Sequence, residues 1–155
     1  ELFKIHEVKR KLSKKGYKFL SETDTEVILN LVDYYYRNGR NLFDEVFKAT
    51  SKLEGSFAIK VIANNELEKI ISVRKDSPLI VGLDKMKVYS SDIPAVLNHT
   101  RYVYLLEDKE FVILTKDGVE LRTEDGEKIE KVLEMKEELQ KYADKYYNYR
   151  YIYIS

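Results

Sequence analysis

The chain has 155 residues, 44% hydrophobic and 35% charged, the balance of one folded domain with a real core rather than a disordered segment. Its 27 basic and 27 acidic side chains cancel, so no global field favours nucleic acid or an acidic surface. It has no cysteine, hence no disulfide framework or thiolate metal site, and no apolar run approaches a membrane span or signal peptide. The expectation is a soluble, cytoplasmic α+β protein with no metal, no other cofactor, and no nucleic-acid or membrane partner.

In chain order, Leu2, Ile5, Val8 and Leu12 keep helical spacing, and Lys14-Lys15-Gly16 closes that helix with basic charge and a glycine. Tyr17 to Leu20 is bulky and reads as a short strand. Ser21-Glu22-Thr23-Asp24 then turns into a second helix, in which Val27, Ile28, Leu31, Val32 and Tyr35 recur at helical spacing. Thr23 and Glu26 have the spacing of a capping box. Asp24 falls in the first turn, where the helix dipole favours a carboxylate. That makes it a fixed anion able to grip an ammonium, or simply a residue that supports the cap. The helix runs to about Arg37 and stops at Asn38-Gly39. A third carries Leu42, Phe43, Val46 and Phe47 inward and breaks near Gly55.

The period then changes. Ser56 to Ile62, Lys69 to Val73, Leu79 to Leu83 with a break at Gly82, and Lys87 to Ser90 read as strands. Asp92 and Pro94 suit the start of a short helix. Arg101 to Leu106, Glu110 to Thr115 and Val119 to Arg122 read as a closing meander, with turns at Asp108-Lys109, Asp117-Gly118 and Asp125-Gly126. Helices followed by hairpin-connected strands predict an α+β layered domain. From Ile129, a stripe through Val132, Met135, Leu139, Tyr142 and Tyr146 predicts a further helix, on the surface or at a dimer interface. Tyr149 to Ile154 alternates with period two and could add a strand to a sheet edge. The organisation expected is residues 1–128 as one domain and 129–155 as a helix and strand-like tail.

The run from Gly16 to Ile28, Gly-Tyr-Lys-Phe-Leu-Ser-Glu-Thr-Asp-Thr-Glu-Val-Ile, resembles a signature of the glutaminase domain of glutamine–fructose-6-phosphate aminotransferases, class II glutamine amidotransferases. Leu53-Glu54-Gly55-Ser56-Phe57-Ala58-Ile59 is similar to the same family's strand entry. Arg74 to Gly82 resembles its Arg-x-Gly-Ser-Pro-Leu hairpin, with Asp76 where the family usually has glycine. Tyr89 to Asp92 and Thr100 to Leu105 resemble two further blocks, in the family's order and spacing. The resemblance spans roughly Leu2 to Lys128 and does not extend to the tail.

That resemblance implies a four-layer αββα sandwich of the N-terminal-nucleophile type. It also implies chemistry in which an N-terminal cysteine thiolate attacks the glutamine side-chain amide, with its own α-amine as base. An Asn-Gly pair forms the oxyanion hole, an Arg in an Arg-Trp motif binds the substrate carboxylate, and an Asp holds its α-amine. Only the Asp has a counterpart here, Asp24, the one substrate-binding residue the resemblance carries over. There is no cysteine and no tryptophan, and the Asn-Gly pair would fall just before, or at, Glu1. The expectation is therefore the C-terminal two-thirds of a glutaminase domain, its N-terminal strands missing, with no catalytic residue of its own. It would meet L-glutamine only if that segment is supplied. An isomerase domain or a second chain is the expected partner, and exposed strand edges predict self-association. Two alternatives stay open: the equivalent domain of an amidophosphoribosyltransferase, and a free-standing, non-catalytic module on the same scaffold. His6 and His99 have no partner at metal or triad spacing. The 13 tyrosines sit mostly at core periods or in the tail, which argues against base stacking.

Overall fold

A computed structural model of the protein describes residues 2–37, 41–66, 68–77, 79–84, 87–91, 95–96, 99–100 and 102–130. The chain opens with a two-residue strand, β1 (Phe3–Lys4), not the helix that the spacing from Leu2 predicts. β1 lies parallel to β2 (Leu53–Glu54), which ties the start of the chain to the end of the helical layer.

Three helices follow the predicted periodicity. α1 (Ile5–Lys14) begins with the Glu7 carboxylate accepting from the Lys4 N–H at 3.0 Å. It ends in a Schellman motif: the Tyr17 N–H donates to Leu12 O, the Gly16 N–H donates to Ser13 O, and Gly16 takes φ +94°. α2 (Asp24–Tyr36) buries Val27, Ile28, Leu31 and Val32 as expected. α3 (Leu42–Ser51) is capped by Asn41, whose side chain accepts from the Asp44 N–H at 2.9 Å. Leu42 and Val46 are buried, while Phe43 and Phe47 are half-buried and meet Phe111 with ring centroids 5.4 and 5.6 Å away. Residues 17–20 are not a strand. Among the described residues no strand lies beside them, so the β-prone side chains have no ladder to join.

The strands form two antiparallel sheets. The first has the order β10-β9-β8-β4-β3, comprising β3 (Phe57–Val61), β4 (Lys69–Lys75), β8 (Phe111–Thr115), β9 (Gly118–Arg122) and β10 (Lys128–Ile129). Ile129 pairs with Leu121, so it closes this sheet instead of opening a helix. The rest of the predicted tail, from 131 onward, lies outside the described residues, as do Asp92 and Pro94. The second sheet has the order β6-β5-β7, from β5 (Ile80–Asp84), β6 (Lys87–Ser91) and β7 (Tyr102–Leu105). The predicted meander is therefore corrected. β7 pairs with β5, and of the three predicted meander strands β8 and β9 alone are neighbours, because the Asp108-Lys109 turn carries the chain from one sheet to the other.

The pleat of β4 shows the layering. Ile71 and Val73 join the helix-side core with Val27, Ile28, Val46, Phe57, Ile59 and Phe111. The opposite face of the first sheet contributes Val112 and Leu121 to a second core with Leu79, Val81 and Leu106. Gly82 does not break β5, which runs through it from Ile80 to Asp84. A Cβ at Gly82 would lie about 2.5 Å from Thr100 Cγ2 and closer still to Val96 Cγ1. Residues 95–96 are helical, so a helical turn covers this outer face of the second sheet. The order is helices, sheet, sheet, helical turn, the α+β arrangement expected from the sequence.

Arg74 stitches the sheets together. Its side chain is fully buried, with Nε donating to Ser77 O, Nη1 donating to Leu106 O at 3.1 Å, and Nη1 lying 2.9 Å from Asp108 Oδ1. Beside it, Asp76 sits at φ +57° and its N–H donates to Asp108 Oδ1 at 2.9 Å. That left-handed conformation suits glycine, and aspartate tolerates it better than most side chains.

Candidate functional site

The site is built at the start of α2. Thr23, in extended conformation, is the N-cap, but its side chain accepts no hydrogen bond from the helix. The capping box that the Thr23–Glu26 spacing predicts does not form. Glu26 instead reaches further back: one carboxylate oxygen accepts from the Leu20 N–H at 2.7 Å, and the other from the Ser21 N–H at 2.7 Å and the Ser21 hydroxyl at 2.5 Å. Ser21 Oγ also lies 2.9 Å from Thr23 Oγ1 and accepts from the Thr23 N–H at 3.3 Å. Bonds from Leu20 and Ser21 hold the Glu26 carboxyl below its usual pKa, with the Lys9 charge adding to the effect. One carboxylate thus folds residues 20–23 into a fixed turn. The tip of that turn is Leu20, 96% exposed.

Asp24 follows directly on this turn as the first residue of α2. It is exposed, and among the described residues no side chain or backbone group hydrogen-bonds its carboxylate. Helix-dipole support and a clamped preceding turn fix the position of this anion without neutralising it. A carboxylate so placed has the charge and exposure to meet a cation.

The base of the turn is fixed as well. Tyr17 donates to Asp33 Oδ2 at 3.0 Å, and Arg37 Nε lies 2.7 Å from the same oxygen. Burial, and then the Asp33 hydrogen bond, push the Tyr17 hydroxyl above its usual pKa. Lys9 reaches Glu22 at 3.2 Å across the turn.

Of the residues singled out from sequence, the structure supports the placement of Asp24 at a helix start and leaves the histidines apart from it. His6 is exposed on α1, and His99 follows the helical turn at 95–96, with its N–H donating to Val96 O. Among the described residues no group of three His, Cys, Asp or Glu side chains could hold a metal ion, and no helix is long and apolar enough to cross a membrane. Sequence reasoning missed the Glu26 clamp. Its only signal was a glutamate five residues after a serine, a spacing with no standard capping pattern.

Comparison with known proteins decides the family. The profile described as "Glutamine amidotransferase domain" matches residues 1–98. The chain belongs to the glutamine amidotransferase domain family. It is 61% identical over 127 residues to a glutamine–fructose-6-phosphate aminotransferase (isomerizing) of Clostridium perfringens, covering 81% of this chain and 20% of the relative. The same enzyme of Clostridium acetobutylicum is 57% identical over 123 residues, covering 79% of this chain and 20% of the relative. That of Thermococcus kodakarensis is 42% identical over 127 residues, covering 81% and 21%. This amidotransferase chain therefore spans about a fifth of the length of the relatives it matches. Among solved structures, a glutamine phosphoribosylpyrophosphate amidotransferase from B. subtilis aligns with TM-score 0.64 at 23% identity, covering 77% of this chain and 26% of that one. A structure titled as the allosteric regulatory enzyme of purine biosynthesis aligns at 0.63 and 22%, with the same coverage. At that identity the likeness shows the fold: the layering is the α+β sandwich of the N-terminal-nucleophile amidotransferases.

Proposed function

We propose that this glutamine amidotransferase chain is part of the glutaminase domain of a glutamine–fructose-6-phosphate aminotransferase, and that Asp24 binds the α-ammonium of L-glutamine. The observation that carries the reading is the exposed carboxylate at the first residue of α2, without a partner among the described residues and set on a turn that Glu26 clamps. The 155 residues contain no cysteine, so the thiolate of the family chemistry would come from polypeptide outside them. The ammonia released would go to fructose 6-phosphate on an isomerase domain, giving glucosamine 6-phosphate. Identity of 61% to the aminotransferase, against 23% to the phosphoribosylpyrophosphate enzyme, favours this acceptor.

In this reading the glutaminase part runs from residue 1 through β10, whose Ile129 still pairs within the first sheet, and the protein works in the cytoplasm. β3 forms one end of its sheet among the described residues, and its outer edge invites a further strand from the same polypeptide or a second copy. The test is the complete product of the reading frame, purified at its native length and supplied with glutamine and fructose 6-phosphate. Stoichiometric glutamate and glucosamine 6-phosphate are the expected products. Glutamine left intact by a full-length protein would overturn the proposal.

A further inference from the structure

A cavity of about 280 Å³ opens on the helical layer, between the C-terminal half of α1, the last turns of α2 and Lys52, the residue that follows α3. It lies about 16 Å along α2 from Asp24, at about 1.5 Å per residue, so it is not part of the candidate glutamine site. Its floor is apolar, with Leu12 and Leu31 buried. Its walls are the aromatic rings of Phe3, Tyr34 and Tyr35. Three ammonium groups stand at its rim. Lys11 Nζ is 3.6 Å from the Phe3 ring centroid, Lys15 Nζ is 5.1 Å from that of Tyr34, and Lys52 Nζ is 5.4 Å from that of Tyr35 and 3.4 Å from its hydroxyl.

Among the described residues no carboxylate lines the cavity, and none of the three lysines has an ion-pair partner. Contact with a ring face orients an ammonium but does not cancel its charge. Three like charges held near one apolar hollow repel one another, and an anion placed between them relieves that repulsion. The volume sits just below the usual range for small-molecule sites, about 300–1,000 Å³, and has room for one or two fused rings.

We propose that this cavity binds a small organic anion with a flat apolar body, an aryl phosphate or aromatic carboxylate. The ring lies against Tyr34, Tyr35 and Phe3, and the anionic group sits between Lys11, Lys15 and Lys52. Apolar walls supply burial, and the lysines supply the preference for charge.

The test is a titration of the full, isotope-labelled chain with 2-naphthyl phosphate, followed by amide chemical shifts. Saturable shifts at Phe3, Leu12, Tyr34 and Tyr35 are expected, with affinity about tenfold or more above that for 2-naphthol or inorganic phosphate alone. Added salt should weaken the binding. The K11Q/K15Q/K52Q variant should bind about tenfold or more weakly with an unchanged melting temperature. Should that variant unfold, K11Q on α1 and K15Q just after it, both at exposed positions, should each weaken binding about threefold. Equal binding of 2-naphthol would reduce the cavity to an apolar groove, and equal binding of phosphate would reduce it to a basic patch. Either result overturns the proposal, as does affinity unchanged by the lysine substitutions or no saturation by about 1 mM.

Discussion

Replacing Arg74 with methionine tests the stitch between the two sheets. Methionine fills much of the buried stem but offers no donor. The carbonyls of Ser77 and Leu106 each lose an arginine hydrogen bond, the latter in a fully buried residue. An orphaned buried acceptor costs about 1–3 kcal/mol. The loss is about 3 kcal/mol at the buried Leu106 carbonyl and about 1 kcal/mol at the half-buried Ser77 carbonyl, from which the added apolar burial of methionine returns about 1 kcal/mol. The ion pair adds little, because the Asp108 side chain is 44% exposed and solvent screens it, which limits its share to less than about 1 kcal/mol. The expected loss for R74M is about 3 kcal/mol, with D108N costing under about 1 kcal/mol. In a domain of this size that lowers the melting temperature by roughly 6–12 °C. Urea unfolding followed by far-UV circular dichroism of wild type, R74M, D108N and the double variant gives all the free energies needed. R74M as stable as wild type would refute the reasoning, since those carbonyls would then find other donors or water at no cost.

Three further outcomes follow from the geometry. G82A drives a Cβ into Val96 and Thr100 and should destabilise by about 1–3 kcal/mol in the same assay, whereas a sheet position with room would tolerate alanine. Burial raises Glu66, but hydrogen bonds from Tyr36, Lys69 and the Leu42 N–H outweigh it, so its folded pKa lies below the usual 4.5. A depressed carboxyl stabilises the fold above the unfolded value, and that stability is lost as pH falls through the folded one. The wild-type advantage over E66Q should therefore be full at neutral pH and shrink below about pH 4.5. A constant difference across that window would contradict it. E26Q should speed hydrogen exchange of the Leu20 and Ser21 amides while leaving those of β4 unchanged, because the charged acceptor holds only that turn.

The helices were legible because each buries one stripe, so Val27, Ile28, Leu31 and Val32 announce their face by spacing alone. Most strands were legible from period two and their turn residues. Pairing was not. Ile80 meets Leu105 across a long stretch of chain, and nothing local distinguishes that partnership from a hairpin with the next strand. Residues 17–20 misled because β-prone side chains form a strand only beside another strand. Gly82 read as a break, although its role is close packing against Val96 and Thr100. An arginine in a strand reads as solvent-facing, and only the three-dimensional convergence of Ser77, Leu106 and Asp108 shows why Arg74 is buried. Asp24 was singled out by its position at a helix start and by resemblance, and the structure supports that position alone. The Glu26 clamp beneath it uses a longer reach than any capping pattern.

The most direct test of the account is the Michaelis constant for glutamine of the full-length D24N enzyme, read beside its turnover number. Losing a charged hydrogen bond to the substrate ammonium, about 1.5–3 kcal/mol, should raise KM roughly 10- to 100-fold with much less change in kcat. An unchanged KM, with the fold intact, would contradict the assignment of Asp24 to the glutamine α-ammonium.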